Sequence, residues 1–255
     1  MIMNITKERA NTVGGITTNK GITFVGEKTR IVINDKDGTY KVSKWSNPAL
    51  KKKSDVPFLR GFVKLYSTLK MGLTTTIGKF SAIFLAIALL SVITGLIRGE
   101  SMSASQMSLL DTFISITINI TIICAMMFYG YNIRPLHGLE HKLISAYKQY
   151  KPLTVKNVKS MTKETPYCGG TLLGIIFAMN ILISIFNLPV ILLWILVPSL
   201  GIELFILARG NKWYNKMIFF PGWLIQQITT SDNVSDQTIE KYLVGFKVFV
   251  NNELK

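Results

Sequence analysis

Alternating, uniformly apolar and helically spaced stretches follow one another along this chain. Residues 11–45 read as a small β element. Gly14, Gly15, Gly21 and Gly26 punctuate the stretch, and Thr29-Arg30-Ile31-Val32-Ile33 reads as a strand. Asp35-Lys36-Asp37-Gly38 then turns the chain into Thr39-Tyr40-Lys41-Val42, which predicts a β-hairpin. A lone hairpin is marginal in water, so this one is expected to pack on helices close to a membrane. Beyond Lys51, Lys52 and Lys53 the period becomes helical. Phe58, Phe62, Leu65, Tyr66, Leu69, Leu73 and Ile77 form one stripe, with Arg60, Lys64 and Lys79 off it. Residues 56–79 therefore read as a basic amphipathic helix on a bilayer surface; a helix packed on a protein core is the alternative.

Four apolar segments follow, at about 80–97, 110–131, 172–186 and 190–208. Asn187-Leu188-Pro189 leaves room only for a turn between the last two, and the third is short for a full span, so this pair also reads as a re-entrant hairpin. Aromatic residues from Trp213 to Trp223 surround Pro221-Gly222 in an interfacial pattern. Ser231-Asp232 and Ser235-Asp236 offer caps for a closing amphipathic helix over 236–251, with Ile239, Leu243 and Phe246 on one side. The pattern predicts a mainly α polytopic membrane protein with about four membrane segments, a small N-terminal β element and flanking amphipathic helices. Its divisions fall at 1–55, 56–79, 80–131, 132–171, 172–208 and 209–255.

Composition points the same way. Of 255 residues 49% are hydrophobic, and the mean hydropathy is +0.34. The net charge of +15 is concentrated early, with 15 Lys/Arg against 5 Asp/Glu in the first 80 residues. That distribution fits contact with anionic lipid headgroups, and no nucleic-acid motif accompanies it. Basic residues number 7 between 132 and 170 and 6 from Arg209 onward, but only Arg98 lies in 98–109. Alternation of this kind predicts an integral protein of the cell membrane with both termini and the 132–170 loop in the cytoplasm. No secretory leader is expected, since the first apolar run starts near residue 80. Two cysteines, Cys124 and Cys168, make no disulfide framework. A protein partner or a homo-oligomer is left open.

The chemistry concentrates in Arg134-Pro135-Leu136-His137-Gly138-Leu139-Glu140-His141-Lys142, which holds both histidines. Pro135 suits a first helical turn, and Leu139, Leu143, Ile144 and Tyr147 recur at helical spacing. On a helix His137 and His141 lie one above the other with Glu140 one position round, the H-x-x-E-H arrangement of a zinc site with a glutamate base. The bland alternative is a helix that shows two histidines to solvent or headgroups. Cys168 and Glu203 are the candidates for a third ligand to a divalent metal, zinc by softness if the thiol takes part. A small residue in a turn, and an interfacial carboxylate paired with Arg209 or a lysine, are their respective alternatives.

Several stretches resemble the YqhQ-like bacterial membrane proteins. They are Val56-Pro-Phe-Leu-Arg-Gly61, His137-Gly-Leu-Glu-His-Lys142, Leu153-Thr-Val-Lys-Asn-Val158, Pro166-Tyr-Cys-Gly169, Pro221-Gly-Trp-Leu-Ile-Gln226 and Thr229-Thr230. The resemblance runs from about residue 14 to 250. It implies a metal-dependent enzyme of unstated substrate, and His137, Glu140, His141, Cys168 and Glu203 match its pattern. Lys20, Val25 and Thr165 depart from it. Three readings compete: a metal-dependent hydrolase facing the cytoplasm with Glu140 as base; a non-catalytic scaffold or regulator that binds lipid or a partner through its basic N-terminal region; and, weakest, a transporter.

Overall fold

In the computed structural model the described residues are 13–44, 117, 121, 124, 130–149, 151–184 and 190–254. Four short strands come first: β1 (Gly14–Thr18), β2 (Gly21–Val25), β3 (Thr29–Asn34) and β4 (Tyr40–Lys44). They form one antiparallel meander in the order β1-β2-β3-β4. The predicted turn at 35–38 joins β3 to β4, and Gly38 closes it with φ +70°, a conformation open to glycine. Alternation decides the faces. Phe24 stands opposite Ile31 and Ile22 opposite Ile33, so all four point to one side, and all four are buried. The hairpin of the sequence reading is thus half of a four-stranded sheet.

Six α-helices follow among the described residues: α1 (Arg134–Lys148), α2 (Val155–Lys159), α3 (Gly169–Ser184), α4 (Val190–Leu207), α5 (Trp213–Thr229) and α6 (Asp236–Leu254). A 3-10 turn over Tyr131–Ile133 leads into α1. Pro135 sits in the first turn of α1, where its missing N–H is no loss. Leu139, Leu143, Ala146 and Tyr147 of α1, with Ile239, Tyr242, Leu243, Phe246 and Phe249 of α6, close over the buried sheet face. Phe24 meets Phe246 with ring centroids 4.6 Å apart. The sheet therefore packs on α1 and α6 rather than on membrane-proximal helices.

The far end of α6 is tied to the sheet by charge. The Glu253 carboxylate accepts backbone N–H groups of Glu27 (2.5 Å), Lys28 (3.1 Å) and Thr29 (2.9 Å) at the β2–β3 turn. Gly26 leaves the carboxylate its place, because a Cβ there would fall on it. Near the other end, Asp35 accepts from Lys241 Nζ and from Tyr242 Oη, each at 3.0 Å.

A second apolar cluster joins α3, α4 and α5 through Ile175, Met179, Val197 and Ala208. Here backbones nearly touch. A Cβ on Gly174 would strike the Pro221 carbonyl, and one on Gly222 would strike Thr171.

The polytopic architecture predicted from the apolar runs is not what the structure holds. Among the described residues no helix is long and apolar enough to cross a membrane. The expected integral location in the cell membrane, with its cytoplasmic termini, has no spanning helix among the described residues to support it. The runs at 172–186 and 190–208 correspond to α3 and α4, and α3 has only 16 residues. A helix apolar all round is written the same way for a protein core as for a lipid core, and that ambiguity misled the reading. The amphipathic stretch 56–79, the run at 80–97 and most of 110–131 lie outside the described residues.

Candidate metal centre

The centre is built where α1 crosses between the two clusters. His137 and His141 lie one turn apart on α1, with ring centroids 4.5 Å apart. The third member, Cys168, immediately precedes α3. Donor atoms of His137, His141 and Cys168 all lie within 4.8 Å of one another, so this group could hold a metal ion. Cys168 Sγ is 3.5 Å from His137 Nε2 and accepts the N–H of Gly170 at 3.2 Å.

Both imidazoles are aimed by backbone oxygens. His137 Nδ1 lies 3.0 Å from the Thr229 carbonyl, and His141 Nδ1 lies 2.5 Å from that of Lys163. A carbonyl only accepts, so each Nδ1 carries the proton and donates it. Each Nε2 is left with a lone pair, the tautomer that a metal ligand needs. Outer hydrogen bonds of this kind orient the histidines of many metal sites.

The carbonyls are themselves held. The first turn of α1 is fastened to the end of α5 by the Ser231 N–H on the Arg134 carbonyl at 3.0 Å. Gly138 permits this approach, since a Cβ there would collide with the Ser231 backbone. The 163–168 loop hangs on the fully buried Gln226 of α5. Its amide donates to the Thr165 carbonyl (2.9 Å) and to Thr171 Oγ1 (2.8 Å), and its oxygen accepts the Thr165 N–H (2.8 Å). One side chain thereby sets both Cys168 and the Lys163 carbonyl.

Burial shapes the electrostatics. His141 is pushed down to about 3, first by burial and then by His137, and burial also lowers His137. Both are neutral near pH 7. Burial raises the Cys168 thiol to about 12, so in the metal-free chain it is protonated. Glu140 is raised to about 7 by burial, partly opposed by Thr17 Oγ1, which donates to Oε2 at 2.5 Å. Strand β1 lies directly over this carboxylate, for a Cβ on Gly15 would overlap it.

Of the five residues singled out from the sequence, His137, His141 and Cys168 come together, and Glu140 sits beside them under β1. Glu203 is buried on α4 and is not part of the group. The sequence reading gave no role to Thr17, to the two carbonyls or to Gln226, although Gln226 closes one of the family-like stretches. Thr17 and Glu140 are 123 positions apart, and no local period links them.

Comparison with known proteins meets the same motif. A family described as proteins of unknown function, DUF1385, matches residues 73–251. The chain belongs to the DUF1385 family. Its matched region takes in α1 to α5 and most of α6, hence the whole donor set, and leaves out the sheet. The chain is also similar to "Uncharacterized protein YqhQ" of Bacillus subtilis (strain 168), 30% identical across 46% of this chain and 40% of that protein. The match thus spans less than half of that relative's length. The resemblance drawn from the histidine motif holds at family level. No solved structure matches.

Proposed function

We propose that the His137, His141 and Cys168 group binds one divalent metal, zinc by the softness of the thiolate, and that the centre serves a hydrolase. The observation that carries this is the double aiming of the histidines: both Nδ1 atoms are committed to main-chain oxygens, and both Nε2 atoms are free to converge with a sulfur. With three protein donors, a bound zinc would keep a place for water or substrate, as catalytic rather than structural zinc sites do. A metal bound there would supply Lewis-acid activation of a water or of a substrate oxygen. Glu140, buried beside the donors, would accept and return the proton, with Thr17 orienting its carboxylate. The Thr229 and Lys163 carbonyls hold the imidazoles throughout.

Elemental analysis of the purified chain, refolded or grown with zinc, tests the reading. About one metal per chain is expected, with loss in His137→Ala, His141→Ala and Cys168→Ala. Glu140→Gln should keep the metal and stop turnover. Loss of metal in Glu140→Gln as complete as in His141→Ala would make the glutamate a ligand and remove the base. A chain that takes up no metal would end the proposal.

A further inference from the structure

The stripe of α1 that carries the histidines continues past them. His137, His141, Ile144 and Lys148 follow one another at spacings of four, three and four, which keeps them on one helix face. Lys148 is half-buried, and its Nζ lies 3.6 Å from the ring centroid of Tyr167, the residue before Cys168. Arg209, just past the end of α4, comes to the same ring, with Cζ 5.2 Å from the centroid, and also lies 4.3 Å from that of Phe205. Two cations thus gather on one aromatic ring, and neither takes part in an ion pair among the described residues. The Arg209 Nε is buried with no hydrogen-bond partner. Like charges brought together out of water cost stability unless something negative joins them. Folding has built this cost into the neighbourhood of the donor set.

We infer that Lys148 and Arg209, around Tyr167, form a subsite for a phosphate monoester dianion. Two fixed positive charges match two negative ones, whereas a monocarboxylate would leave one cation uncompensated. Arginine offers paired N–H groups to phosphate oxygens, and lysine offers a point charge. Seven residues of helix place Lys148 roughly 10 Å along α1 from His141. The anion is therefore an anchor at a distance from the metal, not the group that reacts there. As the address of a substrate this rests on the hydrolase reading above; as a binding site it stands without the metal.

The whole chain, stripped of metal and then zinc-loaded, is titrated with inorganic phosphate, glycerol phosphate and acetate by calorimetry, with metal content measured on the same samples. Both phosphates should bind the metal-free chain, and acetate far more weakly. Lys148→Ala and Arg209→Ala should each weaken binding about ten- to hundredfold, with metal content unchanged. Lys148→Arg, which keeps the charge, should restore most of it. Sedimentation with vesicles containing phosphatidic acid separates the two sources of a monoester: loss of vesicle binding in the same variants assigns the site to a lipid headgroup, and binding of the soluble esters alone assigns it to a small molecule. Phosphate binding that survives both alanine variants, or appears only with metal and vanishes in His141→Ala, overturns the subsite. So does acetate binding as tightly as phosphate. A chain that takes up no zinc when loaded, yet binds phosphate through Lys148, would sink the hydrolase reading alone.

Discussion

Two regions of the described structure hold together by different means. Around the sheet, large side chains interlock: Phe24, Phe246 and Phe249 pack ring against ring, and polar ends are tied by the Glu253 carboxylate and the Asp35 pair. Between α3 and α5, glycines bring main chains together, and buried polar contacts through Gln226 replace bulk. The first arrangement tolerates small adjustments, because side chains can swing. The second sets distances. The donor set uses both, with its histidines on the helix shared with the side-chain core and its cysteine on the loop hung from α5.

Phe246→Ala should give the largest effect. Its ring is fully buried against Phe24, Tyr147 and Phe249, and its removal is expected to cost about 3–5 kcal/mol in a denaturant melt. If α1 depends on this core, metal retention should fail at the same denaturant concentration as the sheet; separate transitions would show that the halves are independent.

Gln226→Ala comes next. It removes three hydrogen bonds at once, for about 1–3 kcal/mol of stability. Its signature lies elsewhere, since metal affinity should fall about ten- to hundredfold while the sheet keeps its far-ultraviolet signal. Unaltered affinity would mean that the loop holds its shape without the amide.

A pair of glycine variants sharpens the contrast between swinging side chains and touching backbones. Gly222→Ala places a methyl on the Thr171 backbone and should cost about 1–3 kcal/mol. In Gly245→Ala the methyl meets the flexible end of Ile33, so the cost should be visibly smaller. Equal losses in thermal melts would erase the distinction.

The smallest effect concerns pH at the seam. Burial, and then Arg209, push Lys148 from its ordinary value of 10.5 down to about 8. Between those two pH values the unfolded chain binds the proton that the folded chain has released, so stability contributed at this position should rise with pH. The denaturation midpoint of the native chain, measured against that of Lys148→Met, should climb from pH 8 to pH 10, by on the order of 1 kcal/mol. A flat difference would place Lys148 in water.

These contrasts also explain what could be read beforehand. Ile31, Val32 and Ile33 form a β-branched run bounded by Arg30 and Asn34, and Asp35-Lys36-Asp37-Gly38 can hardly be anything but a turn; local rules suffice there. His137 and His141 needed only a helix to meet. Ile239, Leu243 and Phe246 announced the buried face of α6 for the same reason. By contrast, α3 and α4 are so evenly apolar that their lettering carries no face, and the partner they bury against is set by glycines whose meaning appears only when Gly174 meets Pro221. Glu203 drew attention as an acid in an apolar run, a statement about cost that says nothing of direction. The groups that aim the histidines are main-chain oxygens, and the backbone is the same at every position.

The carboxylate of Glu253 also has a meaning for the order of synthesis. It reaches back 226 positions to the amide of Glu27, and the neighbouring aromatic rings of α6 complete the roof that α1 begins. On a ribosome adding about 5–20 residues each second, the strands emerge roughly 10–45 s before their lid is complete. For that interval Ile22, Phe24, Ile31 and Ile33 present a greasy face and an open edge to whatever is nearby. The nascent chain therefore has a long adolescence, in which a holding chaperone has more to do than it will for the finished protein.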